Sequence, residues 1–135
     1  MKTLENHLLN AAAQETLSET YQKKNHLFIN FHREEGLPES FQYGFDLTVL
    51  QQYLDYVRSE TEAMGIENVK IKICMGQYPT DNFDDRLNPE YHGYQTVFLR
   101  ADQFFPDEQA GDDIPVNGID ALNFGVLYPP HLKSS

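Results

Sequence analysis

Residues 45–75 read FDLTVLQQYLDYVRSETEAMGIENVKIKICM, and a change of hydrophobic period inside this stretch decides the fold class. Asp46 suits an N-cap, because its carboxylate can accept from the free amides of a first helical turn. Phe45 and Leu50 hold the N′ and N4 places of a hydrophobic staple. Leu47, Leu50, Leu54, Val57 and Met64 then recur at helical spacing, flanked by Tyr53 and Tyr56. Gln51, Gln52, Asp55, Arg58, Ser59 and Glu62 take the other face. This spacing predicts a helix with one buried stripe. Gly65 supplies the left-handed conformation that closes it, and the period then falls to two. Val69, Ile71, Ile73 and Met75 alternate with Lys70, Lys72 and Cys74, which predicts a half-buried strand.

On the N-terminal side, residues 3–24 are rich in good helix formers. Leu4, Leu8, Ala11 and Ala12 make a stripe that Leu17 and Tyr21 continue, and Lys23 and Lys24 complement the dipole at the end of this first helix. Leu27–Phe31 is a short apolar, β-favouring run and reads as a strand; His32–Glu39 reads as a loop; Phe41, Tyr43 and Phe45 alternate as a second strand. On the C-terminal side, Gly76–Gly93 is dense in Pro, Asp and Asn and reads as a long loop. Tyr94–Arg100 alternates as a strand. Asp102–Asn117 reads as an acidic loop with Phe104 and Phe105 packing down, and Leu122–Tyr128 is a last apolar run before Pro129 and Pro130. The expected architecture is α+β: one domain over residues 1–135, with a single layer of antiparallel or mixed sheet of four or five strands and two helices on one face.

Composition narrows the function. A single cysteine, Cys74, permits no intramolecular disulfide and fits no structural zinc pattern, and it reads as a small filler in the sheet. The formal charge is −11, and residues 76–135 carry ten acidic side chains against Arg86, Arg100 and Lys133. A surface of that sign repels phosphates and anionic lipid, which disfavours nucleic acid and membrane partners and favours a basic protein or a cation. No apolar run approaches the roughly 20 residues needed to cross a bilayer. Met1–Ala13 lacks the charged start and apolar core of a secretion signal, so a cytoplasmic location is expected.

Three segments carry a resemblance: Lys70-Ile71-Lys72-Ile73-Cys74-Met75-Gly76-Gln77-Tyr78, Thr96-Val97-Phe98-Leu99, and Asn123-Phe124-Gly125-Val126-Leu127-Tyr128-Pro129-Pro130. In order and spacing they resemble a group of small, uncharacterised bacterial proteins with a central strand ending Gly-x-Tyr, a Thr-Val-x-Leu strand and a closing Asn-x-Gly before a Pro pair. The Pro pair of that group is often flanked by cysteines. Tyr128 and Leu132 stand there in this chain, so the resemblance implies no thiol, disulfide or metal role at this end. The group has no established activity, so it bears on fold and not on function.

Chemistry is sparse. His7, His26, His32, His92 and His131 show neither the i, i+4 helical pairing nor the HExxH setting of a metal site, and no Gly-rich phosphate cradle or GxSxG elbow occurs. No cofactor and no metal are expected. His92 lies beyond a loop carrying Asp81, Asp84 and Asp85, and a fold-back would let it meet a carboxylate for acid-base or metal chemistry. The leading expectation is a protein-binding domain without catalytic activity. Its surface would be the acidic, aromatic loops Gly76–Gly93 and Phe104–Asp113, with Tyr78, Asp84, Asp85, Tyr91, His92 and Tyr94 as binding residues. Two alternatives stand beside it: a small hydrolase-like or metal-dependent enzyme using His92 with Asp84 or Asp85, and a self-associating homodimeric subunit.

Overall fold

The N-terminal region of the structure, a computed structural model, is one helical rod. After a 3-10 turn (Leu4–His7), α1 (Ala11–Tyr21) passes through a π-helical turn (Gln22–His26) into α2 (Leu27–Phe31). The structure describes residues 3–81, 83–107 and 111–131; Met1, Leu132 and Lys133, named above, and residues 82 and 108–110 of the two acidic loops lie outside the described residues. Asn10 caps α1 by accepting from the Ala13 amide at 2.8 Å. Leu27–Phe31, expected as a strand, is helical: extending an existing helix needs one hydrogen bond per residue, whereas a new strand needs a partner strand. The extra residue of the π turn is accompanied by an inward-facing His26, whose Nε2 donates to the Glu39 carbonyl at 2.6 Å.

Strand β1 (Gln42–Gly44) leads into α3 (Leu47–Ala63), which starts and stops as the sequence predicts. Asp46 Oδ1 accepts from the amides of Thr48 and Val49, and Gly65 takes a φ of +75°. The buried line differs from the leucine stripe. Tyr53, Val57 and Thr61 are buried and Leu50 half-buried, while Leu47, Leu54 and Met64 are exposed. The Tyr53 hydroxyl explains the rotation: it lies 3.1 Å from the Leu99 carbonyl and 2.9 Å from the Asp120 carbonyl, so it anchors that side of α3 to the sheet.

The remaining strands are β2 (Val69–Gln77), β3 (Gln95–Gln103), β4 (Ile114–Pro115) and β5 (Val126–Tyr128). The fold is α+β, and the five strands among the described residues are divided between two small antiparallel sheets of order β2-β3-β4 and β1-β5. Each sheet has a core. Under α3, Tyr53 and Val57 meet Val97, Leu99 and Ala101. Beside the second sheet, Tyr78, Leu87, Tyr91, Tyr94 and Leu127 pack together, and half-buried Tyr43 touches both cores. Along β2 the expected apolar face is only half used: Val69 and Ile71 pack under α3, but Ile73 and Met75 are 68% and 66% exposed. The strand is outermost in its sheet, and α3 covers only its first part.

Candidate functional site

The residues that the resemblance singles out meet in one hydrogen-bonded cluster. β2 delivers Tyr78 just past its end, β3 delivers Thr96, and the segment before β5 delivers Asn123. Tyr78 donates its hydroxyl to Asn123 Oδ1 at 2.7 Å, Thr96 Oγ1 donates back to Tyr78 at 3.2 Å, and Asn123 Nδ2 donates to the Val97 carbonyl at 2.8 Å. Gly125 follows because no side chain fits there: a Cβ would lie 2.6 Å from the Gly44 carbonyl oxygen and 2.9 Å from the Phe45 ring. Tyr78 and Thr96 are buried. The cluster therefore fastens three segments together and offers no reacting atom to solvent.

A second polar cluster ties the helical rod to the sheet. Glu39 is only 3% exposed. Its Oε1 accepts from Arg33 Nη1 at 2.9 Å, and its Oε2 accepts from the Gln95 amide at 2.7 Å and from the Ser40 amide at 2.9 Å. Ser40 Oγ completes the arrangement by donating to the Gln95 carbonyl at 2.8 Å. Two side chains thus stand in for a neighbouring strand at the start of β3, satisfying backbone groups that burial would otherwise leave unpaired. Arg33 also lies over the Tyr94 ring, 4.3 Å from its centroid, and donates Nε to the Leu37 carbonyl.

On the sheet face away from α3, Asp102 is fully buried yet charged. Arg100 grips it with Nε and Nη2 at 2.8 and 3.2 Å, and Lys72 Nζ lies 3.1 Å away. Hydrogen bonds from Arg100, and then from Lys72, hold the Asp102 carboxyl below the usual carboxylate range. Lys72 and Lys70 both reach Asp113 as well.

The expected binding residues divide. Tyr78, Tyr91 and Tyr94 are buried and form the second core, so they shape the loop from within and present no ring face to a partner. Asp84 is held by Arg86 through two short contacts, Nε to Oδ1 at 3.1 Å and Nη2 to Oδ2 at 2.9 Å, and this pair pulls its pKa down to about 2. Asp85 is exposed and His92 half-buried. Among the described residues no hydrogen bond or ion pair joins the His92 ring to either aspartate, and no three His, Cys, Asp or Glu side chains gather as a metal would require. Phe104 and Phe105 are half-buried, as the sequence suggests, and Phe83 is exposed.

One surface escaped the sequence reading. At the end of the helical rod, Leu27, Phe28 and Phe31 are 64%, 67% and 84% exposed and border a shallow hollow of about 640 Å³ that Lys24 also lines. Their i, i+1, i+4 spacing puts them on one side of a helix, a signal visible only once the run is known to be helical. The chain matches no known family model, no curated protein and no solved structure. Among the described residues no helix is long and apolar enough to cross a membrane.

Proposed function

We propose that the chain is a protein-binding domain and that the apolar face of α2, built by Leu27, Phe28 and Phe31, is its docking surface. The observation that carries this reading is the exposure of three large apolar side chains side by side. Burying one such side chain is worth about 1.5–3 kcal/mol, a gain that these residues forgo in the isolated chain. Contiguous exposed apolar groups with a polar rim mark interaction sites. The occupant this face fits is an apolar helical segment with acid at its edge, because Lys24 forms one wall of the hollow and no acidic residue lines it. The acidic loops support a basic partner less well, since Asp84 is neutralised by Arg86, and Asp102 and Asp113 by Arg100, Lys70 and Lys72.

The test is affinity capture from the parent cell's lysate with the wild-type chain and with a Leu27→Ser, Phe28→Ser, Phe31→Ser variant of unchanged circular dichroism. A protein retained by the first and lost by the second supports the assignment. Equal retention by both would move the binding surface elsewhere.

A further inference from the structure

The two long edges of the three-stranded sheet are treated differently. Every second residue of β3 turns its backbone groups away from β2, and these groups are met one after another. Glu39 and Ser40 meet Gln95, and Asn123 meets Val97. Leu122 meets Leu99 through both its amide and its carbonyl, and Val116 meets Ala101. The outer edge of β2 has no such cover among the described residues, because β2 pairs only with β3.

The register shows which groups that edge presents. The Tyr78 amide bonds to the Tyr94 carbonyl and the Phe104 amide to the Asn68 carbonyl, and both pairs are in step with the ladder between the strands. In an antiparallel pair, hydrogen-bonded and non-hydrogen-bonded positions alternate. Lys70, Lys72, Cys74 and Gly76 therefore bond to β3, and Val69, Ile71, Ile73, Met75 and Gln77 aim their amides and carbonyls outward. The residues with free backbone groups are those on the face shared with α3. Two of them, Ile73 and Met75, are also the exposed apolar ones.

We infer that β2 pairs antiparallel with β2 of a second copy of the chain, about a twofold axis through Ile73. Only in this register do all five outward positions find an outward partner. Ile73 faces its own copy, Ile71 faces the partner's Met75 and Val69 faces the partner's Gln77, and all five are outward-bonding positions on both strands. On the opposite sheet face Lys72 faces the partner's Cys74, and Lys70 faces the partner's Gly76. No like charges stand directly opposite, and both lysines are already compensated by Asp102 and Asp113. A shift of two residues would leave an outward pair unmatched at one end, and a shift of one would turn apolar side chains onto the charged face.

The groove between α3 and the start of β2 completes the fit. It measures about 580 Å³ and is lined by Leu54, Val57, Val69 and Ile71 among others. The partner's Met75, opposite Ile71 and on the same sheet face, enters it. The product is a continuous six-stranded sheet, β4-β3-β2 against its twofold copy, and the interface is isologous as closed dimers require. Capping the edge in this way also removes an exposed strand that would otherwise template open-ended aggregation. The pairing uses none of the α2 residues and stands or falls independently of the partner proposed for them.

Sedimentation of the full chain across the micromolar range tests the association, and single cysteines in a Cys74→Ala background test the register. A dimer is expected for the wild type and for Phe28→Asp. Ile73→Lys, which sets two like charges across the axis, should weaken it at least tenfold. On oxidation, or with a short bismaleimide, Ile73→Cys should give covalent dimer, since paired Cα atoms lie about 5.5 Å apart there. Ile71→Cys and Met75→Cys should each give little alone but should cross-link together. Ile73 is already exposed, so its variants keep the fold, and circular dichroism checks this. A wild-type monomer at every concentration overturns the inference. So does a dimer unaffected by Ile73→Lys, a dimer dispersed by Phe28→Asp, or equal cross-linking at positions 71, 73 and 75.

Discussion

Replacing Glu39 by glutamine should detach the helical rod from the sheet without changing side-chain shape. The carboxylate receives Arg33 on Oε1 and the amides of Ser40 and Gln95 on Oε2. An amide has one acceptor oxygen. Turned toward Ser40 and Gln95, that oxygen keeps their bonds in weakened, neutral form and points an NH2 group at the Arg33 guanidinium, donor against donor. Turned the other way, it keeps Arg33 and abandons two backbone amides. A hydrogen bond to a charged group is worth about 1.5–3 kcal/mol, and a buried donor left unpaired costs about 1–3 kcal/mol. Arg33 retains some access to water, with its side chain 20% exposed, which softens its loss. The expected destabilisation is about 3 kcal/mol, or a fall in melting temperature of about 10 °C for a chain of this size. Urea unfolding followed by circular dichroism should show the midpoint moving with the slope unchanged. Amide exchange at Gln95, read by NMR, should accelerate ahead of the rest of β3. Glu35→Gln, at an exposed position, should stay within about 0.5 kcal/mol of wild type. If Glu39→Gln also stays within that margin, or if the Gln95 amide keeps its protection, the clamp does not hold the two parts together.

Asn123→Ala should cost about 1–3 kcal/mol in the same unfolding assay, because it removes the acceptor of the Tyr78 hydroxyl and the short amide bond to the Val97 carbonyl, leaving only the longer contacts of Thr96 to both. Gly125→Ala should destabilise by about 2 kcal/mol or more, since the added methyl meets the Gly44 backbone, which cannot swing aside as a side chain would. Asp84 should titrate at about 2 by NMR, and Arg86→Ala should raise it while leaving it below the ordinary carboxylate value, because the amide of residue 86 still donates to Oδ1. Asp102 sets the sign of the acid response. Its folded pKa is depressed, so the stability it contributes is present above about pH 4 and disappears as the pH falls through the folded value. Asp102→Asn should be less stable than wild type at neutral pH and should show a flatter decline on acidification.

The stretch 45–75 was legible because its signals are local. A cap, a staple, a glycine stop and a change of period each depend on neighbours in sequence, and Asp46 and Gly65 act as read. The strands at β1 and β3 were legible for the same reason. Where packing decides, the sequence misleads. Leu47, Leu54 and Met64 make a better apolar stripe than Tyr53 and Thr61, yet a hydroxyl satisfied by two carbonyls of distant segments turns the helix toward Tyr53. Leu27–Phe31 has strand composition, and only the helix already running into it makes it helical. The candidate binding residues suffered from the ambiguity of tyrosine, which serves cores and surfaces equally well: Tyr78, Tyr91 and Tyr94 became core because Leu87 and Leu127 close over them. Glu39 and Asp102 carried no signal at all. Each is one carboxylate among many in an acidic chain until the fold brings near neighbours, Arg33 and Ser40 or Arg100, together with Gln95 or Lys72 of a distant segment around it.

A three-stranded sheet whose last strand is two residues long, covered by one helix, is close to the least that can stand alone. The chain strengthens it where it can do so from its own residues, stitching the free edge of β3 with Glu39, Ser40, Val116, Leu122 and Asn123. Those groups come from three places, residues 39–40, 116 and 122–123, spread over some eighty residues of sequence, so the covering of that edge is a built feature rather than the by-product of one hairpin. Among the described residues no comparable set covers β2, although β2 is as long as β3 and carries the more exposed apolar groups. An edge that must stay open in a monomer is blunted by a proline, a bulge or charge; β2 has no proline, its ladder to β3 is unbroken over all nine positions, and its two lysines are on the other sheet face, paired with Asp102 and Asp113. The asymmetry between the two edges is therefore the observation on which the proposed pairing of two copies rests.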